Sequence, residues 1–220
     1  MGISVGIMFL IMAVVAGWLL KQTLNTTPWI ARTTIVDGRA GSFPQPAAKI
    51  GLWVFLTVVT SLFALFISAY TTRMALGDWR PLPEPPLLWL NTAILIFSSI
   101  ALQWARHSAD HEEIDGVRKG LAIGGALTIC FIVGQLVAWQ QLGALGYHAN
   151  TNPANGFFYL ITGLHGLHMF GGLVAWGRTS LKVWRGCEPA EVRLSVELCT
   201  AYWHFLLVIW FVLFGLMLST

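Results

Sequence analysis

Six stretches of this chain, at about residues 3–20, 50–72, 87–105, 119–141, 157–177 and 197–218, are long enough and apolar enough to cross a bilayer. A hydrocarbon core about 30 Å thick takes roughly 20 mostly apolar residues per helix. The connections between the stretches carry turn chemistry: Pro81–Pro86 is Pro-rich, and Asn150–Asn155, followed by Gly156, mixes Asn and Pro. A transmembrane barrel would instead show alternating segments of about ten residues. Only 10% of the 220 residues are charged and 56% are hydrophobic, against roughly 25% charged in soluble domains. A soluble globular enzyme and a disordered chain are excluded. A net charge of +3 gives no phosphate-binding footprint, so nucleic acid is not a partner. The expected fold class is an all-α integral membrane protein with six transmembrane helices.

The first stretch lacks a basic leader and a clear small-residue cleavage site, and its first cation, Lys21, follows the apolar run. It is read as a retained anchor over residues 1–20, followed by a cytoplasmic linker at 21–48 that Pro28, Pro44 and Pro46 keep from being helical, and by a five-helix bundle over 49–220. Lys21, Arg32, Arg39, Lys49, Arg106, Arg118, Lys119, Arg178, Lys182, Arg185 and Arg193 fall in the loops after the odd-numbered spans. Arg73 and Arg80 alone fall on the opposite side. Cytoplasmic loops are enriched in Lys and Arg, so both termini are expected outside. Trp18, Trp53, Trp89, Trp139, Trp176 and Trp203 sit near expected span ends, where amphipathic rings favour the interface.

Inside the spans the chain holds no Asp or Arg, and Lys119 and Glu197 stand only at the very start of the fourth and the last. Buried carboxylates and cations are the usual marks of proton relays and ion pathways. Their absence points to a subunit that supports chemistry carried elsewhere. The polar groups left at depth are Gln103, Gln135, Asn91, the histidines, and hydroxyl residues such as Thr57, Thr60 and Tyr159. His165 and His168, in Thr162-Gly163-Leu164-His165-Gly166-Leu167-His168, share a helical stripe with Ile161 and Gly172. Gly163 and Gly166 fall elsewhere, where small residues let neighbouring helices approach. His204 lies near the start of the last span. These imidazoles are either haem or metal ligands or, more simply, helix–helix hydrogen-bonding groups or lipid head-group contacts. His107 and His111, with Glu112 and Glu113, have i, i+4 spacing but not the HExxH order, and read as a solvated face. Cys130, Cys187 and Cys199 share no CxxC spacing and suggest neither a disulfide nor a thiolate site.

The segment Phe157-Phe158-Tyr159-Leu160-Ile161 through His168 resembles the TGxHGLH signature of subunit III of haem–copper oxidases. Ala201-Tyr202-Trp203-His204-Phe205, with Trp210 and Phe214 after it, is similar to the YWHF segment of that family's last helix, and Gly134-Gln135 to the start of its GQxxE stretch. The likeness covers about residues 48–218 and implies one extra N-terminal helix before the five-helix core of the bacterial proteins. It implies a non-catalytic accessory subunit in the bacterial cytoplasmic (inner) membrane. That subunit packs beside the catalytic subunit I, in a complex with subunit II. Haems and copper belong to those partners, which reduce O₂ to water and pump protons; this chain carries no cofactor or metal of its own. It binds structural phospholipid and supports assembly, stability and proton uptake. By the same analogy His165, His168, Trp203, His204, Gly163, Gly166, Gln135 and Tyr159 take lipid-binding or subunit-packing roles, and none is catalytic.

Three departures stand out. With Tyr70 fixing the register, Val59, Ala138 and Leu207 occupy places where the family usually has acids. This weighs against a carboxylate-based proton role. It leaves two alternatives: a subunit III-like accessory protein of a nitric oxide reductase, and a stand-alone bis-His membrane haem protein.

Overall fold

The computed structural model describes residues 45–83, 85–186 and 189–219, so the expected first span, most of the linker and Cys187 lie outside the described residues. Five helices follow one another: α1 (Gln45–Met74), α2 (Leu87–Asp110), α3 (Ile114–Ala144), α4 (Pro153–Trp184) and α5 (Pro189–Leu218). Each is long and apolar enough to cross a membrane. Contacts divide the chain after Val59. The first half of α1 exposes Val54, Phe55 and Val58 and buries Leu56 and Val59. The second unit holds the rest of α1 and the other four helices.

The helices run past the apolar stretches at nearly every end. Apolarity marks the depth of the bilayer, whereas a helix continues until the backbone is turned. α1 starts at Gln45 rather than after residue 48, with Pro46 inside its first turn. A proline is tolerated there because the N–H it lacks has no intrahelical acceptor. α2 continues through Arg106 and His107 and stops where Glu112 takes φ 61°. The Glu113 N–H then reaches the Ser108 carbonyl at 2.9 Å and the Glu112 N–H reaches Ala109 at 3.4 Å, a left-handed cap of the Schellman type. The same device closes α3 at Gly146, φ 86°, with Tyr147 N–H on the Leu142 carbonyl at 3.0 Å. α4 begins at Asn152, whose side chain accepts from the Ala154 N–H at 3.3 Å ahead of Pro153.

In the second unit α2 packs on α3 and α5, and α4 packs on the same two, closing a four-sided bundle. The second half of α1 lies along α4, with the Phe63 and His168 rings 5.5 Å apart and Tyr70 5.6 Å from Phe157. The closest helix pair is α2–α3. A Cβ at Gly120 would stand 2.7 Å from the Ala105 Cβ, 2.8 Å from its nitrogen and 2.9 Å from the Ala101 carbonyl. Without a hydrophobic drive between helices in lipid, such approach of backbones is what holds them.

One end of the bundle is cationic. There Arg193 donates to Asp110 at 2.7 Å, Arg106 lies 3.7 Å from Glu197, and Arg118 stacks 5.5 Å over Trp184. The other end holds the α1–α2 and α3–α4 loops, joined by an Asn152 bond to the Arg80 carbonyl at 2.6 Å. The Arg73 guanidinium beside Asp78 holds that exposed carboxyl below the usual carboxylate range.

Gly120→Ala is expected to cost about 1–3 kcal/mol, because it meets the Ala105 Cβ and two backbone atoms, none of which can give way. Gly171→Ala, with nothing within 4 Å, should be close to neutral. Heat-induced loss of the chain from purified membranes measures both.

Candidate functional site

The two signature segments meet across the α4–α5 contact. On α4, Ile161, His165 and Gly172 are buried and His168 half-buried, all on one stripe. Gly172 is the close approach: a Cβ there would lie 2.7 Å from Tyr202 and 3.0 Å from Trp203 of α5. Tyr202 donates to the His168 carbonyl at 2.9 Å, and the His165 Nε2–H donates to the Leu206 carbonyl at 3.2 Å. The His165 ring, 1% exposed, is enclosed by Phe131 at 5.8 Å and Trp210 at 5.1 Å. His168 Nδ1–H bonds the Leu164 carbonyl one turn back at 2.7 Å.

Trp203 is expected at a membrane interface, but the structure buries it completely, because α5 begins at Pro189 and places this residue in mid-helix. Its indole N–H donates to Thr128 Oγ1 at 2.8 Å. Thr128 and Ser98 hydroxyls lie 2.9 Å apart, and both reach the Gly124 carbonyl, at 2.9 and 2.8 Å. One node therefore ties α2, α3 and α5. Two more bonds tie α5 to α2: Trp210 to Thr92 Oγ1 at 2.9 Å and Thr200 to the Leu102 carbonyl at 3.1 Å. Each is worth about 0.5–1.5 kcal/mol net, and each would be expensive to leave unmade.

Tyr159 and Gly163 belong to a different contact, α3–α4. Trp139 donates to Thr162 at 3.1 Å with its ring 3.4 Å from a Cβ at Gly163, and Tyr159 donates to the Tyr147 carbonyl at 2.9 Å. Trp139 and Trp176 thus act as helix ties, Trp176 bonding the Leu121 carbonyl at 2.9 Å, while Trp89 is 58% exposed. Among the described residues Gly166 makes no close approach, since nothing lies within 4 Å of its Cβ position. His204 is half-buried and bonds the Thr200 carbonyl of its own helix at 2.8 Å. Gln135 is buried on α3. Sequence reasoning overlooked Ser98, Thr128, Thr92 and Thr200; the seven-residue spacing of Trp203 and Trp210 was the available signal for their indole partners.

A haem does not fit His165. Its Nε2 is committed to the Leu206 carbonyl and its ring packs against Phe131 and Trp210. Among the described residues no three His, Cys, Asp or Glu side chains gather as metal ligands; Cys199 is buried and Cys130 exposed, both as free thiols. The His107 and His111 rings lie 4.3 Å apart at the end of α2, where His111 Nδ1–H bonds the His107 carbonyl at 2.8 Å. Of the positions where acids were expected, Val59 and Ala138 are buried and Leu207 is half-buried.

The family described as cytochrome c oxidase subunit III matches residues 3–219. The cytochrome c oxidase subunit 3 of Thermostichus vulcanus is 32% identical over 176 residues, spanning 76% of this chain and 85% of that protein. The probable cytochrome c oxidase subunit 3 of Mycobacterium tuberculosis is 31% identical over 191 residues, 82% of this chain and 92% of its own length. The subunit 3 of a Synechocystis strain is 31% identical over 193 residues, 83% and 80% respectively.

Trp203→Phe and Thr128→Val should each destabilise the bundle by about 1 kcal/mol. The double variant should cost clearly less than the sum, because both remove the same bond. Thermal denaturation of the four proteins in one detergent reads the coupling.

Proposed function

Given that the chain belongs to the cytochrome c oxidase subunit III family, we propose that it works as an accessory subunit of a respiratory haem–copper oxidase, packed beside subunit I in a complex with subunit II. The observation that carries this reading is the use made of the two signature segments. The polar side chains of His165, Tyr202 and Trp203 are consumed in helix–helix bonds within the chain. What they build is a rigid bundle with apolar sides, with Leu160, Leu167, Phe170 and Val174 exposed along α4. Such faces suit lipid tails and a partner's helices. Haems and copper belong to the partners, and this chain supplies packing, phospholipid contacts, assembly and durability. His204 and Gly166 are half-buried, with nothing among the described residues within 4 Å of the Gly166 Cβ position, and serve as contacts to the large subunit or its lipids.

Any support of proton uptake by this chain works without an intramembrane acid at residues 59, 138 and 207. The subunit sits in the bacterial cytoplasmic membrane. The end holding Arg106, Arg118, Lys119, Arg178, Lys182, Arg185 and Arg193 faces the cytoplasm by the positive-inside rule, which puts the C-terminus outside.

A tag on this chain should bring down a haem-bearing complex whose partners, identified by mass spectrometry, are oxidase subunits I and II. Nitric oxide reductase subunits in their place would redirect the assignment to that branch, and a Soret band from the chain alone would refute it. His204→Leu and Gly166→Leu should lower the yield of the chain with the large subunit while the remaining complex keeps its haem spectrum. Normal yield for both would refute their contact role. A C-terminal reporter active only outside the cytoplasm should be active; activity of a cytoplasmic reporter would reverse the topology.

A further inference from the structure

Gly134 and Gln135 lie on α3 where it packs against α2. α2 and α3 run antiparallel in a fixed register: Gly120 faces Ala105, Gly124 faces Leu102, Gly134 faces Asn91, and the Ser98 and Thr128 hydroxyls are 2.9 Å apart. Asn91 lies seven residues before Ser98, and Gln135 seven residues after Thr128. Two turns on along each helix, about 10 Å away, the same register therefore sets Asn91 against Gln135. The bundle has two stacked polar layers, one of hydroxyls and one of amides.

The hydroxyl layer is satisfied within the chain, including the Trp203 indole. The amide layer is not. Asn91 is 0% and Gln135 6% exposed, yet among the described residues Asn91 Oδ1 and Nδ2 and Gln135 Oε1 and Nε2 find no hydrogen-bond partner. Trp210, seven residues after Trp203, donates to Thr92 instead. Gly134 leaves space for the Asn91 amide, whose oxygen a Cβ there would strike. Two amides in a membrane interior with all four polar atoms unpaired is a costly arrangement. The groups presented are two acceptors and two double donors, without charge. A ligand for them is small and neutral, and both gives and accepts hydrogen bonds.

We propose that Asn91, Gly134 and Gln135 form a buried hydration site between α2 and α3, in which ordered water bridges the two amides. Water in such sites typically makes about three hydrogen bonds to otherwise unpaired groups and belongs to the structure. The bridge fixes the α2–α3 register in the half of the bundle beyond the glycine contacts at residues 120 and 124. Gly134 is required because any side chain would take the space of the Asn91 amide.

The test is electron cryo-microscopy of the membrane assembly purified through a tag on this chain, at a resolution that shows ordered water. A rounded density within hydrogen-bonding distance of both side chains is expected. A direct amide–amide bond without such density, or an elongated lipid tail in its place, overturns the site. Asn91→Leu, Gln135→Met and the double variant give a second readout in the same preparation. Each single change should speed heat-induced loss of the chain about fivefold, as expected for one stranded polar group. The double variant, apolar on both sides, should regain most of that loss. Losses that simply multiply would contradict a shared site.

Discussion

A backbone or side-chain polar group at bilayer depth has no water to fall back on, so each must find its partner inside the protein. In this chain the requirement is met most fully at one place, the buried node of Ser98, Thr128, the Gly124 carbonyl and the Trp203 indole. The node joins three helices, and the rest of the bundle is arranged around it. Gly120 and Gly124 bring α2 and α3 close enough for the hydroxyls to meet. Gly172 brings α4 against Tyr202 and Trp203, which sets the indole where Thr128 can receive it.

That arrangement gives the family signature a physical meaning. In the two signature segments His165, Tyr202 and Trp203 use their polar atoms to close helix–helix bonds. The chain offers a stiff body with lipid-compatible sides and a cationic end knitted by Arg193–Asp110 and Arg106–Glu197. Those properties suit a subunit that steadies a catalytic neighbour.

Much of the fold was legible because lipid imposes a simple rule on sequence. Five of the expected spans appear as helices, since runs of apolar residues without breakers leave the backbone no alternative. The ends were less legible. Apolarity stops at the bilayer surface, whereas α2 and α4 run on through Arg106 and Lys182 until a left-handed residue turns the chain. The last helix likewise begins at Pro189, ahead of the apolar stretch from about residue 197, so Trp203, which looked interfacial, proved central. In the site, His165 and His168 were visible as a pair, but their acceptors are carbonyls of Leu206 and Leu164, and a carbonyl has no sequence signature. Gly166 and Gly172 look alike on paper; only the facing rings of α5 distinguish the contact from the open face.

The central claim is that this chain braces a redox complex without holding any of its redox centres. The direct measurement is the haem and copper content per catalytic subunit in complexes prepared with and without this chain. The account predicts the same stoichiometry in both, with the complex lacking the chain losing activity faster under turnover. Loss of a haem or a copper in step with loss of the chain would contradict it.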